Sequence, residues 1–426
     1  MIVLFVLLAC NVAFAQKPDL MYEWASLDYD WPDETSRNDS ISNGTFIVEN
    51  NALTGLKLYK GDVFVTVPRW RLGVPSTMNK VITKGNANVL QPYPSWKMQE
   101  IGNCSCFQFT QSMEIDPVSG WMWAIDTGRI NTLPGPGEGS AQNLCPAKLV
   151  IIDIAKRSIV RTHIFPEEVV SKSSNFLNDI VVDPKGGFAY ISDAADAKMV
   201  VYNYNTDRSH SIKHISMGYE PDAILFTINN KNYTLRTTMD GIALSPDRSS
   251  IFYCALAGFS LYSISTKIAN DPNGNHGDAI RKVGVKVSQS DGLVAGYNNL
   301  YYGVLGLNGL YKWEISKDMR EQSVPYTKVN LTTRTEIYTD DVGHQWVDTF
   351  ALEESGEYLW YTANKLQDFF PKGLDFSGGN GSNFRIWKVK VNDRPYILPT
   401  IENSANCNYL KNVRIMVALI ILVMHI

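Results

Sequence analysis

A chain of 426 residues with 45% hydrophobic side chains has ample material for a core, and its 19% charged content is below the usual share of a soluble domain. The formal net charge of −4 attracts neither nucleic acid nor an acidic membrane surface and favours, if anything, cationic small ligands. Length alone suggests two or three domains, but a repeat that closes on itself can hold them in one.

Residues 1–15 (MIVLFVLLACNVAFA) are an apolar run ending in Ala13-Phe14-Ala15, the small-x-small pattern of a signal-peptidase site before Gln16. The run is shorter than the about 20 apolar residues of a spanning helix, so it is expected to be a secretory signal peptide. Residues 16–43 are polar, with Trp24, Tyr29 and Trp31 scattered among acids, and read as an extended arm packed over the body. Residues 44–51 (GTFIVENN) show β-branched alternation and are expected to supply a strand that closes a ring opposite residues 383–391 (NFRIWKVKV).

One phrase then recurs: an apolar strand, a Pro/Gly/Asp turn, an aromatic strand and an Asp-containing corner. It is clearest at residues 113–128 (MEIDPVSGWMWAIDTG) and returns at 179–194, 241–258, 293–306 and 349–364, and more loosely at 53–68. The period, between 50 and 70 residues, suits a four-stranded propeller blade with generous loops. The expected fold is therefore all-β, a six-bladed β-propeller over residues 44–395, with a tail at 396–426. Long irregular loops at 74–96, 130–146, 220–232 and 366–382 are where binding is expected, although Phe369, Phe370 and Phe376 in the last are expected to fold back on the body.

Once Cys10 leaves with the leader, Cys104, Cys106, Cys145, Cys254 and Cys407 remain. Cys104 and Cys106 are too close to pair without strain, so Cys145 is expected to pair with one of them, and Cys254 with the other or with nothing. Six N-x-Ser/Thr sequons, at Asn38, Asn43, Asn103, Asn232, Asn330 and Asn380, suit a secretory route. The C-terminus has the order that GPI-anchor addition requires: the small triplet Asn403-Ser404-Ala405, a polar spacer at 406–414 and an apolar tail at 415–426. Cleavage there would remove Cys407 and leave a protein anchored by lipid at the cell surface.

The repeat alignment sets Asp126, Asp193 and Asn364 at matching corners, where Asp and Asn also bond their own backbone in tight turns. Among the histidines only His344, just before Thr349, is expected near a channel, and it is the candidate for proton transfer if the protein is an enzyme. No Ser-His-Asp arrangement, nucleophile elbow, phosphate loop or zinc signature is recognisable, and no cofactor is expected.

Eight segments in order carry a resemblance: FVTVPRWRLGVP at 64–75, PYPSW at 92–96, WAIDTG at 123–128, CPAKLVIID at 145–153, YISDA at 190–194, MDGIALSPD at 239–247, LYSIST at 261–266 and NKLQ at 364–367. The chain resembles the yellow/major royal jelly protein family from about residue 44 to residue 395. That resemblance implies a secreted six-bladed propeller. Members include pigmentation and cuticle proteins, some reported to speed dopachrome conversion, nutritive proteins, and salivary proteins that bind serotonin, histamine and catecholamines. In the amine binders a Thr and an Asn fifteen residues apart contact the ligand and a side chain two further on completes the contact; the resemblance carries the first two over to Thr349 and Asn364, and Leu366, where an aromatic would be expected, only as a pocket wall. The family reading departs at the apolar tail and at Ser119, where many members have cysteine. The expected function is binding of a small aromatic amine or catechol without catalysis, by a monomer. A dopachrome-converting enzyme is the alternative. A second resemblance, of residues 177–186 and 239–241 to calcium-binding lactonase propellers, makes Asn178 and Asp240 alternative metal ligands. Against it, Asp240 replaces that family's usual Asn and the first blade offers no Glu.

Overall fold

The computed structural model describes residues 17–135, 137–371 and 373–398; the expected leader and anchor signal, with Cys10 and Cys407, lie outside the described residues. Six antiparallel sheets of four strands follow one another along the chain. The innermost strand of each touches the innermost strands of the blades before and after it, and the sixth touches the first, so the sheets form a closed six-bladed propeller around a central channel. The six hairpins of the sequence are the inner two strands of each blade, as in Thr110–Asp116 with Trp121–Asp126 and Leu177–Asp183 with Phe188–Asp193.

The turn chemistry explains the recurring phrase. The Asp116 carboxylate accepts from the Val118 and Ser119 amides (3.0 and 3.2 Å) and the Ser119 hydroxyl (2.6 Å), and Gly120 at φ +70° completes the reversal. An Asp followed by a residue free to adopt positive φ is what a tight turn of this geometry requires. The corner acids are structural as well. Asp126 accepts from the amides of Gln108, Phe109 and Gly128, and Asp193 from those of Phe176, Ala195 and Asp196, tying the chain that enters each blade to the second strand. Between blades, broad rings such as Trp313 against Phe252 (centroids 5.5 Å apart) fill the space, each worth about 1.5–3 kcal/mol of burial.

The closing strand is not the expected one. Asp19–Trp24 pairs with Phe384–Lys390, bringing Glu23 opposite Arg385 and Trp24 opposite Phe384, whereas residues 44–51 form no strand. Val48–Asn50 is a single 3₁₀ turn, because Asn50 and Asn51 spend their amides on Leu72 O, Ile47 O and Gly73 O instead of extending into a ladder. The arm also contains a helix, Glu34–Ser42, capped by Asp33, whose carboxylate accepts from the Ser36 amide.

Cys145 is bonded to Cys104, and Cys106 and Cys254 are buried thiols. The bond ties the 130–146 loop to the loop that precedes blade 2. After the last blade the chain straps the end of the channel opposite that loop. Asp393 accepts from the Asn298 and Asn299 amides and the Tyr301 hydroxyl (each 2.9 Å), and Tyr396 donates to Glu114 (3.0 Å). A cavity of about 40 Å³ there is lined by Lys57, Glu114 and Tyr396 among others. Among the described residues no helix is long and apolar enough to cross a membrane.

Candidate functional site

Where the innermost strands begin, their pairing slips. The register breaks between Thr110 and Met113, Leu177 and Ile180, Met239 and Ile242, and Val347 and Phe350, a β-bulge at the same place in four blades. A bulge re-aims the side chain it carries. The first residue of each is polar: Gln111, Asn178, Asp240 and Asp348. In blade 5, Asp291 takes the corresponding place, two residues before the first paired residue Leu293. All five line one cavity of about 790 Å³.

Its walls come from the loops above the ring: Trp70, Phe176, Trp346, Leu366 and Phe370, together with Thr132 and Leu133 of the disulfide-clamped loop. Of the three loop phenylalanines, Phe369 folds back under Trp70 and Arg71 and is 1% exposed, whereas its neighbour Phe370 faces the cavity.

The floor is acidic. Asp240 takes the Asn178 amide at 2.5 Å, and Asp291 takes Trp346 Nε1 at 2.7 Å. Asp348 Oδ2, Gln111 Oε1 and Trp70 Nε1 have no hydrogen-bond partner among the described residues. Burial, and then repulsion from Asp291 and other acids, holds the carboxyls of Asp240 and Asp348 well above the usual range, and burial raises Asp291 too. No cation enters either balance. Deeper in the channel burial pushes Asp179 up to about 6, against the opposing pull of Lys57, and its Oδ1 accepts from Ser112. Three carboxyls from neighbouring blades thus share one cavity with an aromatic wall, and burial disfavours their ionised forms.

The expected residues are distributed differently. Leu366 is on the cavity wall. Asn364 is buried, and its amide donates to Leu53 O (2.8 Å), bracing the last blade against the first. Thr349 is the second residue of its bulge, its backbone amide bonded to Thr362 Oγ1; neither it nor Asn364 lines the cavity. His344 lies off the cavity, fully buried against the Tyr361 hydroxyl (2.7 Å) and the rings of Tyr338 and Trp387. Asn178 and Asp240 do meet, but as hydrogen-bond partners. Among the described residues no group of three or more His, Cys, Asp or Glu is placed to hold a metal ion, so no metal-assisted step is derived. The sequon asparagines Asn38, Asn43, Asn103, Asn232, Asn330 and Asn380 are all exposed.

Sequence reasoning missed Asp291, Asp348 and Gln111. A signal was present: aligned on Met113, Ile180, Ile242, Leu293 and Phe350, the repeats place a polar side chain two positions upstream in each of these blades.

Residues 110–396 match the family model described as major royal jelly protein. The chain is 24% identical over 391 residues to major royal jelly protein 1 of Apis mellifera, covering 88% of this chain and 87% of that protein. It is 25% identical over 385 residues to major royal jelly protein 9 of the same organism, covering 87% of each. It is also 23% identical over 403 residues to the dopaminechrome tautomerase of Drosophila melanogaster, covering 90% of this chain and 84% of that protein.

Proposed function

Because this chain belongs to the major royal jelly protein family, whose members differ in function, we propose from its own cavity that it binds a small aromatic amine or catechol and releases it unchanged. The observation that carries the reading is the pairing of an aromatic wall (Trp70, Phe176, Trp346, Phe370) with an acidic floor in a space of about 790 Å³. That volume falls within the roughly 300–1,000 Å³ of small-ligand pockets. A planar ring stacks on the wall while polar substituents reach the floor. Titration calorimetry with serotonin, dopamine and histamine tests it. Saturable binding of at least one, with the compound recovered intact, is expected, and failure of all three to bind would refute it.

One observation favours a second reading, dopachrome conversion. Buried neighbouring carboxyls held above their usual range can differ in protonation, and a tautomerisation needs one group to take a proton from ring carbon while another returns one to the quinone oxygen. The likeness to the Drosophila tautomerase agrees with it. Decay of dopaminechrome absorbance, abolished by Asp240→Asn, would favour this reading over simple binding.

The setting we propose is extracellular. It is supported by the Cys104–Cys145 bond, which suits an oxidising compartment, and by the exposure of the sequon asparagines. Lipid attachment near Asn403 rests on sequence alone; release from cells by a phosphatidylinositol-specific phospholipase tests it. A monomer is expected by size-exclusion chromatography.

A further inference from the structure

We infer that the head-group subsite of the cavity is Asp348, assisted by Gln111, and that it selects a protonated amine over a neutral ring of the same shape. This rests on the binding reading above and adds to it which chemical class is held and by which residues.

The three acids of the floor are not equivalent. Asp291 is held by the indole N–H of Trp346, and Asp240 by the amide of Asn178 and its contact with Asp291. Asp348 Oδ2 has neither, although the residue is only 8% exposed and lines the cavity. Gln111 Oε1, on the same ring and 9% exposed, is likewise without a partner. An ammonium carries three donors and no acceptor, so it matches a floor whose free atoms are acceptors. A carboxylate or phosphate ligand would bring only further acceptors and negative charge to a floor already made of acids.

The electrostatics point the same way. Burial, and then the neighbouring acids Asp291 and Asp179, keep a proton on Asp348 that a surface carboxyl would give up. A cation at Oδ2 offsets both and lets Asp348 ionise. A neutral ring can stack on Trp346 and Phe370 but leaves the floor as it was. Two arginines share the lining: Arg129, in the short strand Arg129–Ile130, donates to Asn143 Oδ1 and Asn175 O, and Arg236 is exposed at the rim.

The test compares dopamine with 4-ethylcatechol, its isostere without the amine, by calorimetry on the intact protein. Dopamine should bind about 100-fold more tightly, as expected for a desolvated charge pair. Asp348→Asn should lower dopamine affinity by about the same factor and leave 4-ethylcatechol affinity within about twofold. Thermal denaturation checks that the variant folds. Equal affinities for the two compounds, or an Asp348→Asn protein that binds dopamine as well as the parent, would overturn the subsite and leave the cavity reading standing. Absence of binding by both compounds would overturn the subsite, and failure of serotonin and histamine as well would overturn the cavity reading with it.

Discussion

Replacing His344 by Gln should flatten the acid limb of the protein's stability curve. The imidazole is fully buried, and burial, only partly offset by Asp340 at 3.6 Å, lowers its pKa from 6.5 to about 4. Between those values the unfolded chain binds a proton that the folded one refuses. The contribution is therefore fully present above pH 6.5 and is lost as pH falls towards 4. At 1.36 kcal/mol per pKa unit the full effect is about 3 kcal/mol, most of it gone by pH 4.5. Glutamine can keep a hydrogen bond to Tyr361 but does not titrate. Urea denaturation of both proteins at pH 7.5 and 4.5 measures the difference. The parent should lose about 2–3 kcal/mol more than the variant over that interval, and equal losses would refute the reasoning. Ligand affinity should be unchanged, since His344 is not on the cavity wall.

Other perturbations have equally definite outcomes. Serine at both Cys104 and Cys145 opens a loop of 41 residues' separation and should lower stability by about 4 kcal/mol on loop-closure grounds, which thermal denaturation with and without reductant measures. Gly241→Ala places a Cβ 2.4 Å from Asp291 O, so blades 4 and 5 must part; expression yield and melting temperature should fall, and dopamine affinity with them. Trp346→Phe keeps the ring but removes the 2.7 Å bond to Asp291, and about 1–3 kcal/mol should be lost in urea denaturation.

The propeller was legible because its signal is local and repeated: alternation, an Asp-led turn and an aromatic strand, all within sixteen residues. The closing strand was not. Asp19–Trp24 meets Phe384–Lys390 from the opposite end of the chain, and nothing in six residues announces so distant a partner. The cysteine alternatives could be narrowed but not resolved, since Cys104 and Cys106 are two residues apart and only the path of the 130–146 loop decides between them. His344 shows how proximity in sequence misleads. It is five residues from Thr349, yet it lies on the buried side of the last blades while the neighbouring strand begins at the channel. Asp240 was noticed through its Gly, but its partners Asp291 and Asp348 become its neighbours only when three blades converge.

That convergence depends on the residue after two of the three acids. Gly241 and Gly292 follow Asp240 and Asp291, and a Cβ on Gly292 would lie 2.5 Å from Asp348 O, as one on Gly241 would from Asp291 O at 2.4 Å. Bare backbone therefore lets blades 4, 5 and 6 approach at the channel, and the acids are carried together by the same contacts. Packing of this kind gains contact between strands and loses it to repulsion among carboxyls whose pKa values are all raised. Hydrophobic or amide side chains at these positions would preserve the approach without the repulsion. A fold that keeps three acids there, with one oxygen unpartnered, gives up stability that such replacements would recover, so Asp348→Asn should raise the melting temperature of the ligand-free protein, and an unchanged or lower value would refute this account.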